Sequence, residues 1–198
     1  MSVAVRPLTM DEARLLTAAR LVAVEHAPYL AHALFTARPL AAVGLGTFAV
    51  DRSWRLYLDT NTLAGWGPSL AGGVLVHEVS HLVRDHAARA EALGADYDHD
   101  RWNAAGDVAI NDDLLAAGVP LPDGALTPAT FGLDEGGIEE AYYAALAQRK
   151  LPGASGSKGA GSSSPSCGSG AGDGIAEWEL PADDAAAPAL GSARLTRA

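Results

Sequence analysis

The sequence predicts an α+β domain, rich in helix, with a small β-sheet ahead of its central helices. Three observations predict it. Two β-rich runs, Leu45-Gly-Thr-Phe-Ala-Val50 and Trp54-Arg-Leu-Tyr-Leu58, flank the short polar turn Asp51-Arg-Ser53 and read as a hairpin over about residues 45–59. Segments with helical start and stop signals lie on both sides of that hairpin. Hydrophobic residues fill 48% of the 198 positions, enough to bury one sizeable core.

The elements follow in order. Thr9-Met-Asp-Glu12 has the form of a capping box and opens a helix running to about His26. Pro28 breaks it, and Tyr29 to Ala37 reads as a second helical piece, stopped before Pro39. After the hairpin, Gly65 to Pro68 reads as a loop, and Ser69 as the cap of a helix that runs to about Leu93, where Gly94 suits its end. Another helix spans about Arg101 to Ala117, closed by Gly118 and Pro120, and a last one about Ile138 to Lys150. Residues 1–151 therefore read as the folded domain. Residues 152–174 hold eight Gly and seven Ser, a composition that buries little apolar surface and reads as a flexible linker. Residues 175–198 form a short tail, in which Trp178 and Leu180 mark a strand or docking segment.

Charge and cysteine usage exclude several classes. Lys and Arg number 14 against 24 Asp and Glu, for a net charge of −10. Such a chain is ill suited to neutralising nucleic-acid phosphates or to docking on an anionic membrane. The single cysteine, Cys167, excludes an intrachain disulfide and a thiolate cluster; lying in the linker, it is expected to be an inert, exposed thiol. No apolar run has the length of a signal peptide or a membrane span, so a cytoplasmic location is expected.

The chemistry concentrates in Val74-Leu-Val-His-Glu-Val-Ser-His-Leu-Val83. His77-Glu78-Val79-Ser80-His81 is an H-E-x-x-H motif on a predicted helix. Residues four apart share a helix face, so both imidazoles can direct a ring nitrogen at one Zn²⁺. Glu78 is placed to take a proton from a metal-bound water whose pKa the zinc lowers to about 7. The bland alternative is two solvated or capping histidines on an amphipathic helix. The apolar flanks argue instead for a central helix, where such groups need partners.

A catalytic zinc usually takes three protein ligands and keeps one position open. His86 lies five residues beyond His81, about 140° around a continuing helix, and so points away unless the helix ends early. His99 falls in the polar stretch 96–100, and Glu139 and Glu140 on a later helix. The strongest third ligand is Asp107. Asn103, Asp107 and Asn111 form one polar stripe at i, i+4, i+8, and the small Ala104, Ala105 and Gly106 beside it suit a close approach of another backbone. Asn103 and Asn111 would then orient ligands from behind.

These residues resemble a known family. Phe48-Ala-Val-Asp51, Arg55-Leu-Tyr-Leu-Asp59, Val74 to His86 and Trp102-Asn-Ala-Ala-Gly-Asp-Val-Ala-Ile-Asn111, in that order, resemble the predicted zinc metallopeptidase domain found N-terminal to von Willebrand A-like domains in bacterial proteins. The resemblance covers roughly residues 1–151, with similarity continuing around Trp178. It implies a zincin-like fold, a small sheet packed by the metal-binding helix, His77, His81 and Asp107 as zinc ligands, and Glu78 as general base. His86 also fits the family pattern. The chain departs in Asp59-Thr-Asn61, where the family's strand is usually followed by Asn-Pro, and no von Willebrand A-like sequence occurs within the 198 residues.

The function expected is thus a zinc-dependent metallopeptidase acting on a peptide or protein substrate laid along the sheet edge, with Tyr142 or Tyr143 as a conceivable oxyanion donor against a default of core packing. The alternative is a catalytically silent zinc-binding module working with an ATPase or a von Willebrand A-like partner. Folding of the linker back over the site, to displace the zinc-bound water, is a further expectation of low weight.

Overall fold

Thr9 and Glu12 make the reciprocal cap: Glu12 N donates to Thr9 Oγ1 at 3.3 Å and Thr9 N to the Glu12 carboxylate at 2.7 Å. They open helix α1 (Met10–His26) in the computed structural model, which describes residues 3–149, 151, 167–172 and 175–181. A 3-10 turn at Pro28–Leu30 and the short helix α2 (Ala31–Thr36) follow, with the proline at the first helical position, where its missing N–H costs nothing.

The sheet is larger than the expected hairpin. Strands β3 (Phe48–Val50) and β4 (Arg55–Leu58) do pair antiparallel. Strand β2 (Arg38–Val43) adds parallel to β4, and β1 (Ala4–Arg6) antiparallel to β2, giving the order β1-β2-β4-β3. The helical reading of Tyr29 to Ala37 stops where β2 begins, but Arg-Pro-Leu-Ala-Ala-Val has no polar–apolar alternation to announce a strand. β3 lies at one edge of the sheet, beside the central helix.

That helix, α3 (Thr60–Val83), starts nine residues before the expected Ser69 cap. Asp59 caps it, accepting from Asn61 N and Thr62 N. The expected loop at 65–68 is a kink within the element: Gly67 takes φ +66°, and Pro68 starts the second limb. From Ala71 to His81 α3 is buried on every face. It packs so closely on α1 that a Cβ on Gly72 would sit 3.0 Å from Ala19 O. Leu75 and Val79 join Leu16, Phe48, Leu58 and Ile110 in the main core, each such side chain contributing about 1.5–3 kcal/mol when fully buried.

The helix ends at Val83, ten residues before the expected Leu93. Asp85 adopts a left-handed φ of +54°, and α4 (His86–Ala92) leaves in a new direction. Helix α5 (His99–Ala116) is capped by Asp98, so His99 lies in its first turn rather than in a loop. Helices α6 (Pro128–Phe131) and α7 (Glu139–Leu146) complete the body, α7 being shorter than the expected 138–150. A 3-10 turn at Ser169–Ala171 falls inside the stretch expected as linker and is buried. Residues 152–166, 173–174 and 182–198, which hold most of the expected linker and tail, lie outside the described residues. Of the tail, Trp178 packs edge-on against Tyr57, and Leu180 N donates to the Tyr57 hydroxyl at 3.0 Å. Among the described residues, no helix is long and apolar enough to cross a membrane.

Candidate metal centre

The second limb of α3 and the middle of α5 cross with their small and polar residues facing. One turn apart on α3, the rings of His77 and His81 bring their Nε2 atoms to 3.1 Å. From α5, Asp107 places Oδ1 3.4 Å from His77 Nε2 and 3.3 Å from His81 Nε2. Glu78 follows His77 on the same limb and is buried.

The outer nitrogens of both histidines are held from behind, and this fixes their tautomers. Asn111 Nδ2 donates to Leu126 O at 2.8 Å, which leaves its Oδ1 facing His77 Nδ1, also at 2.8 Å. His77 Nδ1 therefore carries a proton, and Nε2 is the ring nitrogen turned toward Asp107. Behind His81 the chain is longer. Burial would raise the Glu139 carboxyl, but hydrogen bonds from His86, Arg89 and Arg84 outweigh it and hold it well below the usual carboxylate range. As an ionised acceptor it receives the His86 Nε2 proton at 2.9 Å. Burial lowers His86, so its ring is neutral and Nδ1 accepts from His81 Nδ1 at 2.8 Å. His81, fully buried and pushed down to about 3 chiefly by that burial, is neutral as well. With its Nδ1 proton donated to His86, its Nε2 is a lone pair.

Three ligand-type atoms, His77 Nε2, His81 Nε2 and Asp107 Oδ1, thus face one another within 3.4 Å. The separations suit a cation. Tetrahedral bonds of about 2.0–2.1 Å hold neighbouring N and O ligands about 3.3 Å apart. The donor set and its spacing therefore fit a zinc-type ion.

The other sequence-nominated residues fall in different places. Because α3 ends early, His86 does reach His81, but on the nitrogen away from the Asp107 side. Glu139 serves His86, and Glu140 pairs with Arg89 at the surface. His99 Nδ1 lies 3.3 Å from Gly172 O. Asn111 backs His77 as expected, whereas the Asn103 side-chain oxygen is buried and has no hydrogen-bond partner among the described residues. The close approach expected at Gly106 is there, made by an imidazole rather than a backbone: a Cβ would lie 2.9 Å from His86 Nδ1. The Tyr142 hydroxyl is engaged by Gly137 N, Asp112 and Asp134 O, and the Tyr143 hydroxyl by Asp98 N and Arg101.

Cys167 corrects the sequence reading. The expected exposed thiol is buried, with Sγ 3.8 Å from His77 Nε2 and 3.5 Å from Asp107 Oδ1. His77, His81, Asp107 and Cys167 each offer one ligand atom, all within 4.8 Å of one another. The signal for it lay in the glycines around Cys167, which reflect close approach as readily as flexibility.

The family described as "Putative metallopeptidase domain" matches residues 11–193. The chain belongs to that family. Comparison with curated proteins and with solved structures gave no match. The matched span takes in α3, α5 and the segment that carries Cys167, so all four clustered side chains fall inside the family's domain.

Proposed function

We propose that the chain is a zinc-dependent peptidase in which His77, His81 and Asp107 hold the metal and Glu78 is the general base. The observation that carries this is the convergence of His77 Nε2, His81 Nε2 and Asp107 Oδ1 within 3.4 Å, beside a buried glutamate on the same helix limb. Zinc bound there supplies a Lewis acid, lowering the pKa of water to about 7 and polarising the scissile carbonyl. The Glu78 carboxylate takes the proton of the attacking water and returns it to the leaving amine. Asn111 and the His86–Glu139 pair keep both imidazoles aimed with Nε2 toward Asp107, so no ring has to turn before binding metal. The peptide lies along an edge of the small sheet, where main-chain pairing holds it in register. A cytoplasmic setting belongs to the same proposal, and an ATPase or von Willebrand A-like partner to the alternative of a catalytically silent zinc-binding module.

Glu78→Gln separates binding from chemistry. The variant keeps its zinc, read by elemental mass spectrometry, and loses cleavage of a mixed peptide library by a factor of about 10² or more. Undiminished cleavage in Glu78→Gln would overturn the proposal.

The nearness of Cys167 favours a second reading: four protein ligands make a closed, structural site and a silent zinc-binding module. Under that reading, removing Cys167 costs metal and stability and opens no activity.

A further inference from the structure

The residues from Cys167 to Gly172 occupy the ground that a peptide substrate needs. β3 is an edge strand, and its Val50 N–H donates to Cys167 O at 2.9 Å. Its carbonyl is covered as well: a Cβ at Gly168 would collide with Val50 O. Further along, a Cβ at Gly170 would lie 2.8 Å from Leu82 Cδ2 on α3, and one at Gly172 would lie 2.7 Å from the Trp102 ring on α5. A side chain at any of these three positions would force the backbone off the surface, so the glycines permit a fit that the neighbouring elements leave little room for. Ser169 anchors the turn. Its N–H donates to the Glu179 carboxylate at 2.7 Å, its hydroxyl to the same group at 2.6 Å, and Arg52 Nε donates to its carbonyl at 3.3 Å.

This seat puts the thiol at the site. Cys167 Sγ completes the cluster of His77, His81 and Asp107, at 3.8 Å from His77 Nε2 and 3.5 Å from Asp107 Oδ1. A Zn–S bond of about 2.3 Å beside Zn–N and Zn–O bonds of about 2.0–2.1 Å sets sulfur about 3.6 Å from the other ligands. The separations from His77 and Asp107 are close to that spacing, and all four ligand atoms fall within 4.8 Å of one another, so the sulfur is placed to reach the position a catalytic site keeps for water.

We propose that Cys167–Gly172 is a built-in inhibitor of this site: the Cys167 thiolate is the fourth metal ligand, and its backbone takes the β3 edge on which a substrate strand would pair. The inference rests on the peptidase reading. On coordination the thiol gives its proton to solvent and a sulfur–metal bond forms; on release that bond breaks, water takes the position and the thiol regains a proton, with no redox partner. The segment is held by the sulfur, by Val50 N–H on Cys167 O, by Arg52 on Ser169 and by the Tyr97 hydroxyl on Gly172 O, with Ser169 braced on Glu179, and a strand-forming peptide competes directly for the Val50 pairing. Activity is then limited by the fraction of molecules whose segment is displaced.

Cobalt(II) in place of zinc tests the ligand without calling on activity. The full chain loaded with cobalt shows a thiolate-to-cobalt charge-transfer band in the near ultraviolet. Cys167→Ala keeps one cobalt per chain, loses the band, and cleaves a mixed peptide library about tenfold or more faster than the wild type, since the closed population no longer withholds the site. Gly168→Ala keeps the thiol but pushes the segment off Val50, so it weakens the band and raises cleavage. Cobalt bound without the band overturns the inhibitor and leaves the peptidase reading standing. A band with no gain of cleavage in either variant, while the wild type cleaves and Glu78→Gln does not, overturns it as well. No cleavage by any of these variants overturns the peptidase reading, and the inhibitor with it. Should Cys167→Ala fail to fold, Gly168→Ala carries the test.

Discussion

At the scale of single residues, the site is governed by which nitrogen carries a proton. Asn111 settles this for His77: an amide whose NH₂ is already committed to Leu126 O can present only its oxygen. Asn111→Ala frees the ring to turn or to protonate the wrong nitrogen. Metal affinity should then fall about 10- to 100-fold, read by competition with a chromogenic chelator, while circular dichroism stays unchanged. An unaltered affinity would show that Asn111 does not position the ring. The polar stripe Asn103, Asp107, Asn111 was legible in the sequence because helical spacing alone puts its members on one face. It did not say that Asn111 would reach a histidine while the Asn103 oxygen finds no partner among the described residues, since that depends on the crossing of α3 and α5. Gly106 was legible for the same kind of reason: a glycine inside a helix marks a neighbour that comes too close for a methyl group.

At the scale of elements, start signals were read more safely than stops. The Thr9–Glu12 box predicted the start of α1 because both halves of the cap are local. It also carries a pH dependence. The hydrogen bond from Arg6, then that from Thr9 N, hold the Glu12 carboxyl down to about 2 from an ordinary 4.5. The unfolded chain takes up that proton first as pH falls, so the contribution is complete above about 4.5 and is lost as pH drops toward 2. Glu12→Gln should lower the unfolding temperature at pH 7 and narrow its gap to the wild type as the solution is acidified, in melts followed by circular dichroism. A gap constant with pH would remove the carboxylate from the explanation. The end of α3 had no such local mark. Asp85 turns the chain with a left-handed φ at a residue that neither glycine nor proline announces, so a sequence reading carries the helix on to Leu93 and sends His86 to the wrong side. β2 was hidden likewise, since Arg38-Pro-Leu-Ala-Ala-Val43 carries no polar–apolar alternation to read.

At the scale of the whole molecule, the metal is expected to act as a staple between α3 and α5. At free metal about a hundredfold above its dissociation constant, binding adds about 2.7 kcal/mol, which for a chain of this size moves the unfolding midpoint by roughly 5–10 °C. Treatment with a chelator should lower the calorimetric midpoint by that amount, and added zinc should restore it; a midpoint indifferent to both would mean that the ion does not join the two helices. The longest-range contacts were the least legible part. A run of Gly and Ser has one compositional meaning, and only the packed surfaces of Val50, Leu82 and Trp102 show that here it also permits contact.

One consequence concerns synthesis. Asp107 and Cys167 stand 60 positions apart in the chain. At about 5–20 residues per second, His77, Glu78, His81 and Asp107 leave the ribosome about 3–12 s before the thiol does. Under the proposed coordination, every newborn chain would therefore pass through an interval in which the two helices could meet and take up an ion with no sulfur yet to close over it. The order in which the polypeptide is made would then load the centre first and lock it afterwards.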